Sequence, residues 1–321
     1  MDGVNKNPGR NFNGKDLEWL LDAYLEESAT RIAATTHKDY SLALDYFRRW
    51  WRDVGPKQDY IVGRSDFQKF AKWLEKQPSR QGERLGVGTI DTVLKRLRQF
   101  FRWSWTEENL AKDYSLWIPR ATGEPPERTL PEPESLDQLF NAATLTEKPI
   151  RNRAILAILI GTAVRRAECC NIDIEHVQFY ADGGGQISIK LGKGKKPRTV
   201  IFDAIAGEYI SIHLRWMVES GHATGALFLG RSGRLGPKAL YSVVKNLAEH
   251  AGLADQIQGP HDLRRLFATY WSRKQRGEGF TQPLSLQMGH TDRKMTLLYT
   301  KQDITDVRQT FTSPLEKLTK K

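Results

Sequence analysis

The C-terminal part of this 321-residue chain carries side chains that could hold a phosphodiester and cleave it. They are His261 and Arg264 in the run His-Asp-Leu-Arg, His290 directly after Gly289, and Tyr299. A guanidinium binds two phosphate oxygens at once, an imidazole donates a hydrogen bond or accepts a proton, and a phenol can form a covalent intermediate. Each histidine taken singly is more often a hydrogen-bonded structural residue, so the set needs further cations to support this chemistry.

Two such cations lie upstream. Arg165 follows an apolar helical segment, and Glu168 comes one helical turn later on the same face. Either a structural ion pair or a carboxylate that orients Arg165 toward a phosphate explains this spacing. Lys193 lies between two glycines in a predicted hairpin turn, where the backbone can approach a ligand closely. A solvated basic turn is the ordinary alternative for Lys193.

The surroundings of these residues favour an anion site over other chemistries. His261 and Arg264 open a predicted helix just after Pro260, and helix N-termini attract anions. The chain has neither the GxxxxGK[ST] spacing of a phosphate-binding loop nor a GxSxG nucleophile turn. Only the adjacent Cys169 and Cys170 approach the spacing of zinc ligands. The sequence therefore predicts no metal site and no cofactor.

Composition bounds the class of protein. The chain has 39% hydrophobic residues and nine Trp, which indicates packed structure and enough length for two domains. Its formal charge of +11 favours a polyanionic partner over a merely solubilising surface. Two cysteines give no disulfide framework. No apolar run approaches the ~20 residues of a membrane span, and the N-terminus lacks a signal-peptide core. We therefore expect a cytoplasmic protein without membrane contact.

The first part of the chain predicts a helical bundle. Residues 1–13 are rich in Asn and Gly and predict a flexible tail, and residues 14–119 show helical periodicity throughout. Thr36 and Asp39 have the spacing of a capping pair for the second helix. The apolar stripes of the four helices include Leu17, Leu21, Phe47, Trp50, Phe67, Phe70, Leu94 and Phe101.

Two of these helices carry basic faces opposite their apolar stripes. A basic helix face is most often simply solvated, but two in one bundle also suit contacts with DNA phosphates. The candidate DNA-binding residues are Lys38, Arg48, Arg49 and Arg52 on the second helix, and Lys95, Arg98 and Arg102 on the fourth.

The rest of the chain predicts a mixed domain. Residues 120–134 are dense in Pro and Glu and predict a linker. Residues 135–321 begin with helices, and three short β-branched segments follow at 177–180, 186–191 and 199–202. Glycine-rich turns separate these segments, which predicts a three-stranded antiparallel sheet before helices resume.

Together these motifs resemble the tyrosine recombinases, the phage integrase family, over nearly the whole chain. Gly161-Thr-Ala-Val-Arg165-Arg-Ala-Glu168 is similar to the family's first arginine box, and Lys193 to its hairpin lysine. His261 to Arg264, then His290 with Tyr299, follow in the family's order. Three departures are small: Ala163 where Gly is usual, Arg265 where a second His is frequent, and a slightly long segment at 272–281.

The resemblance implies a fold and a mechanism. The fold would be mainly α with a small antiparallel β-sheet: a helical, SAM-like core-binding domain and a mixed α+β catalytic domain, as in Xer- and Cre-like two-domain enzymes. Tyr299 would form a 3′-phosphotyrosyl link while Arg165 and Arg264 hold the phosphate. The resemblance makes Lys193 the general acid and His261 the proton acceptor. His290 would hydrogen-bond the phosphate and Glu168 would support the site.

The implied partners are double-stranded DNA recombination sites and further copies of the chain, four on two sites, passing through a Holliday junction. An accessory DNA-bending protein is a further expectation. The tail after Tyr299 would dock on the neighbouring protomer, or alternatively on its own domain. Two other functions stay open: a type IB topoisomerase-like enzyme of the same fold, and an architectural DNA-binding protein with a decayed site. The intact set of six site residues argues against decay.

Overall fold

The computed structural model describes residues 11–12, 14–55, 61–79, 82–107, 109–123, 129–190, 197–274, 281–289 and 313–317. The chain divides into two compact units, Met1–Glu127 and Arg128–Lys321. The predicted fold class, mainly helical with one small antiparallel sheet, is confirmed. In the described part of the chain no helix combines the length and the hydropathy that crossing a bilayer requires.

The described part of the first unit contains four α-helices around an aromatic core. They are α1 (Leu17–Arg31), α2 (Ala34–Asp53), α3 (Arg64–Leu74) and α4 (Val87–Thr106), in the order that the apolar stripes predict. Phe47, Phe67 and Phe101 are fully buried, and Phe47 and Phe67 each meet Phe101 edge to face. Edge-to-face ring pairs add to the gain from burying apolar area, so these rings fix how α2, α3 and α4 pack.

Two predictions for this unit are wrong in detail. Helix α2 begins at Ala34 after Ala33, without a side-chain cap, so Thr36 lies inside the helix. Phe12, placed in a flexible tail over 1–13, is fully buried, and its amide donates to the Tyr114 hydroxyl at 2.9 Å. Its ring packs on Trp51 and Phe101. The burial of one large ring outweighs the polar composition of the residues around it.

The second unit places helices around a small sheet. The strands β1 (Val177–Phe179), β2 (Gly185–Ile189) and β3 (Arg198–Phe202) pair antiparallel in the order β1-β2-β3, as predicted. The helices are α5 (Leu136–Thr144), α6 (Pro149–Thr162), α7 (Arg166–Cys170), α8 (Ala204–Glu219), α9 (Pro237–His250), α10 (Pro260–Lys274) and α11 (Thr281–Met288).

Helix α6 is the centre of this unit. Every residue from Ala154 to Thr162 is buried, which is the pattern of a helix covered on all sides. It packs against α5, α8 and α10. Because only Ala163 and Val164, both buried, separate the end of α6 from Arg165, the packed core fixes where that side chain begins.

A short C-terminal piece also packs on this unit. Leu315 is fully buried, and a methyl group added to Gly161 of α6 would come within 3.0 Å of its Cδ1. Glu316 binds Tyr270 and Lys274 of α10. Residues 313–317 thus pack on the chain's own domain, while docking of the tail on a neighbouring protomer stays a prediction; the rest of the tail lies outside the described residues.

Candidate active site

The first site arginine is presented by a sharp turn after α6. Ala163 has φ +55°, the only left-handed non-glycine residue among those described, and it ends the helix. Left-handed backbone costs an ordinary residue about 1–2 kcal/mol. This is the position where the resemblance leads one to expect glycine. After this turn, Arg165 is the N-cap residue of α7.

Glu168 holds Arg165 in place. The Arg165 backbone N–H donates to Oε2 of Glu168 at 2.8 Å, and Arg165 Nη1 donates to Oε1 at 2.9 Å. The contact that the spacing predicts is therefore present. Glu168 is 8% exposed, so a charged partner is needed to keep its carboxylate ionised.

A second guanidinium completes that partnership. Arg198, the first residue of β3, donates Nη1 and Nη2 to the two oxygens of Glu168, each at 2.9 Å. Burial alone would raise the pKa of Glu168, but the hydrogen bonds and charges of Arg198 and Arg165 lower it to about 2. Arg198 was not predicted as a site residue from the sequence. The signal available was its place at the start of a strand that follows the Lys193 turn.

Arg264 comes from a third element, α10. Helix α10 begins at Pro260 as predicted, which puts the exposed His261 in its first turn and Arg264 one turn further. Arg264 is 5% exposed and donates to the carbonyls of Ala163 and Met288. Burial, together with the nearby charge of Arg165, lowers the pKa of Arg264 to about 10, so it remains a cation at neutral pH.

The two arginines meet at the end of α11. Arg264 Nη2 donates to the Met288 carbonyl at 2.6 Å, and Arg165 Nη2 donates to the next carbonyl, Gly289, at 2.8 Å. Gly289 has φ +61°, a left-handed C-terminal turn that glycine adopts without strain. A guanidinium has five N–H donors, so each arginine keeps donors for a further ligand.

These side chains face one cleft. Its volume is about 670 Å³, and Arg165, Arg166, His261 and Arg264 line it together with Tyr241. Arg166 lies over the Tyr241 ring at 5.8 Å. Three arginines outnumber the one carboxylate in the lining, Asp262, and a helix N-terminus adds to them, so the cleft suits an anion. The structure thus brings Arg165, Glu168, His261 and Arg264 together, whereas Lys193, His290 and Tyr299 lie outside the described residues.

The candidate DNA-binding residues of the first unit have varied surroundings. Arg48 binds Glu18 at 2.7 Å and Asp22 at 2.9 Å. Arg98 is half-buried and donates to the carbonyls of Ile118 and Pro119. The remaining pairs are Arg49 with Asp45, Arg52 with Asp53 and Arg102 with Asp113. Lys38 and Lys95 are exposed and have no ion-pair partner among the described residues.

Comparison with known proteins identifies the family. The sequence model of the phage integrase family matches residues 131–305, more than half of the chain. Tyrosine recombinase XerC of Vibrio cholerae is 28% identical over 305 residues, covering 91% of this chain and 93% of its own. Tyrosine recombinase XerD of Mycobacterium tuberculosis is 27% identical over 303 residues, covering 89% and 94%.

Solved structures share the fold. A XerH site-specific recombinase bound to its difH substrate matches with a TM-score of 0.64 at 19% identity, covering 94% of this chain and 99% of that one. A lambda integrase dimer bound to a core site matches with a TM-score of 0.63 at 15% identity, covering 90% and 99%. The chain belongs to the phage integrase family and is a tyrosine-type site-specific DNA recombinase.

Proposed function

We propose that this protein cleaves and rejoins DNA through Tyr299, with the scissile phosphate held between Arg165 and Arg264. The observation that carries the proposal is the convergence of the two guanidiniums on adjacent carbonyls at the end of α11. They come from segments about a hundred residues apart in sequence. Such a pair can bind the two non-bridging oxygens of one phosphate and stabilise the charge that grows in the transition state.

The chemical step transfers the phosphate from one oxygen to another. The Tyr299 hydroxyl attacks the phosphorus and forms the 3′-phosphotyrosyl bond, while the bond to the 5′-oxygen breaks. His261, exposed in the first turn of α10, accepts the phenol proton, and Lys193 protonates the departing 5′-oxygen. His290 donates a hydrogen bond to the phosphate, and Glu168 keeps Arg165 oriented.

The reverse step rejoins the strand without a cofactor. The phosphotyrosyl bond keeps the free energy of the broken phosphodiester, so a 5′-hydroxyl can attack it and release Tyr299. If that hydroxyl comes from a second site, the strands are exchanged and a Holliday junction forms. Four copies on two sites are needed for this exchange. Lambda integrase, which has the same fold, has been solved as a tetramer bound to a Holliday junction.

The two units divide this work. Residues 14–119 would form the core-binding domain, 120–134 the linker and 135–321 the catalytic domain. The first unit binds the duplex through its basic residues, of which Lys38 and Lys95 are exposed and lack ion-pair partners among the described residues. Such contacts position the DNA without reading its sequence. The accessory DNA-bending protein remains a prediction.

A nicked substrate tests this proposal. The probe is a library of duplexes with two inverted, randomised half-sites around a spacer, nicked near the expected cleavage point so that the cut strand diffuses away. The wild-type chain should give a protein–DNA band that survives a denaturing gel, and Tyr299→Phe should give none. A band that persists in Tyr299→Phe refutes the nucleophile assignment.

Two other results would favour the alternative functions. The duplexes that the protein binds most tightly are recovered from the library and sequenced. Relaxation of a supercoiled plasmid that contains none of these sequences would favour a type IB topoisomerase-like enzyme. Tight binding to the recovered sequence without any covalent band would favour an architectural protein.

A further inference from the structure

Arg198 is a tightly held side chain of the catalytic unit to which the proposed mechanism gives no role. It is nearly buried, with 13% of its side chain exposed. It lies at the start of β3, directly after the segment that contains Lys193. Its two terminal nitrogens bind both oxygens of Glu168 in parallel. A bidentate guanidinium–carboxylate pair of this kind fixes geometry as well as charge.

The four hydrogen bonds to Glu168 fill its acceptor capacity. Oε1 accepts from Nη1 of Arg165 and Nη1 of Arg198, and Oε2 accepts from the Arg165 backbone and Nη2 of Arg198. A carboxylate has about four lone-pair sites. Because Arg198 occupies two of them, the side chain of Arg165 obtains one bond from Glu168 rather than a bidentate pair. Arg165 Nη2 is then left to reach the Gly289 carbonyl beside the cleft.

Charge follows the same arrangement. Two guanidiniums share one carboxylate, so the trio of Arg165, Arg198 and Glu168 carries a net charge of +1. If Arg198 were absent, Glu168 would neutralise Arg165 on its own. Its carboxylate could then rotate to accept hydrogen bonds from two guanidinium nitrogens of Arg165. The positive charge facing the cleft would fall, and the donors of Arg165 would be drawn away from it.

Arg198 also lies against Gly289, the residue that follows α11. A methyl group added to Gly289 would come within 2.7 Å of Arg198 Nε and 2.8 Å of its Cζ. The guanidinium therefore lies directly against the residue that precedes His290. One side chain thus touches the carboxylate that holds Arg165 and the turn that leads to His290.

We propose that Arg198 is a positioning residue of the recombinase: by saturating Glu168, it limits the Arg165 side chain to one bond with that carboxylate and keeps the charge of Arg165 directed at the scissile phosphate. The inference rests on the proposed function, because it assumes that Arg165 binds that phosphate. It assigns Arg198 an effect on the rate of cleavage and no contact with DNA.

The experiment measures the rate of covalent complex formation on a nicked duplex recovered from the library, at saturating protein. Arg198→Met should lower the rate roughly 10- to 100-fold, as loss of a partner behind a functional side chain does, while DNA affinity and its salt dependence stay as in the wild type. The cleavage rate of Arg198→Lys should lie between those of the wild type and of Arg198→Met, because an ammonium is a point charge that cannot bind both oxygens in parallel.

A second substitution separates positioning from stability. In Arg198→Met with Glu168→Gln, the carboxylate charge that would neutralise Arg165 is gone, so this double variant should cleave faster than Arg198→Met alone. The matched control is Arg151→Lys. Arg151 is also half-buried and donates to the Leu229 carbonyl, but it does not line the cleft. It should cost stability and leave the cleavage rate unchanged.

Each outcome decides something different. A cleavage rate unchanged in Arg198→Met, or a double variant slower than Arg198→Met, would overturn the positioning role. A loss of cleavage that only mirrors a lower unfolding midpoint, in Arg198→Lys and Arg151→Lys alike, would also overturn it. If the wild-type chain forms no covalent complex on any duplex, the proposed function fails instead.

Discussion

The two units hold their arginines in opposite ways. In the first unit most of the candidate DNA-binding arginines bind carboxylates of their own: Arg48 binds Glu18 and Asp22, and Arg52 binds Asp53. In the second unit Arg165, Arg198 and Arg264 lie around a single carboxylate, Glu168, and the remaining bonds of Arg165 and Arg264 go to backbone carbonyls. The first arrangement cancels charge at the surface, whereas in the second three guanidiniums and one carboxylate leave this group of four side chains with a net charge of +2.

This difference shows that the number of arginines does not predict an anion site. A surface ion pair in water gains little and leaves little field. Backbone carbonyls, by contrast, carry only partial charge and orient a guanidinium without neutralising it. Phosphate chemistry is therefore expected where arginines are held by carbonyls. Of the candidate DNA-binding residues in the first unit, the two exposed lysines and the carbonyl-bound Arg98 form no ion pair with a carboxylate among the described residues.

The largest effect is expected at Arg264. Arg264→Ala removes a nearly buried cation that no carboxylate contacts directly among the described residues. Covalent complex formation should fall about 100- to 1000-fold, the loss that follows removal of one transition-state donor. A nicked-substrate time course measures it. A smaller loss than that of Arg52→Ala, which removes an exposed and paired arginine, would break the comparison.

Acid should act on the second unit through Glu168. Its pKa is lowered from 4.5 to about 2 in the folded chain, so its ionisation stabilises the fold above about pH 4.5, and this contribution is lost as the pH falls toward 2. Glu168→Gln should lower the free energy of unfolding at neutral pH and reduce its further decline between about pH 4.5 and pH 2. Urea unfolding at several pH values measures this. An unchanged pH dependence would contradict the shared-carboxylate arrangement.

In the first unit the two lysines should matter more than the paired arginines. Lys38→Gln with Lys95→Gln should reduce the slope of log affinity against log salt by about 2, since each lost phosphate contact removes roughly 0.9. The matched control is Arg48→Gln with Arg52→Gln, because these residues already bind carboxylates. Equal slopes in the two double variants would show that the paired arginines exchange their partners for phosphate.

The smallest effect is expected for the exposed ion pairs themselves. Arg48→Ala should change the free energy of unfolding by less than about 1 kcal/mol, because its carboxylate partners are 63% and 74% exposed. Arg98→Ala should cost about 1–2 kcal/mol, since it leaves the Pro119 carbonyl without its charged donor. Thermal or urea unfolding of the two variants compares them, and the reverse order would contradict this distinction.

Much of the architecture could be predicted because its signals are local. Period 3.6 in the apolar residues indicates the four helices of the first unit, and β-branched segments between glycine turns indicate the three strands. Arg165 and Glu168 are one turn apart, so their contact is also local. The predicted start of α2 was wrong because Thr36 has a capping side chain but the backbone becomes helical two residues earlier.

Contacts between distant residues could not be predicted in the same way. Phe12 belongs to the core of the first unit because its ring packs on Trp51 of α2 and Phe101 of α4, which no neighbouring residue in the sequence indicates. The pairing of Arg198 with Glu168 spans thirty positions and depends on the tertiary fold that brings the start of β3 to α7. Gln287 is similar: it bonds the N–H and the C=O of Ile201 on the edge of β3, and helical periodicity gives no sign of this.

The most direct measurement identifies the residue that becomes joined to DNA. The covalent complex trapped on a nicked duplex is digested with a protease and a nuclease, and the peptide that retains a nucleotide is sequenced by mass spectrometry. We predict a single modified peptide, with a 3′-phosphate esterified to Tyr299, and its loss when Arg165 and Arg264 are both replaced by alanine. A nucleotide on any other side chain, or a link that forms equally well without those two arginines, would contradict the proposed chemistry.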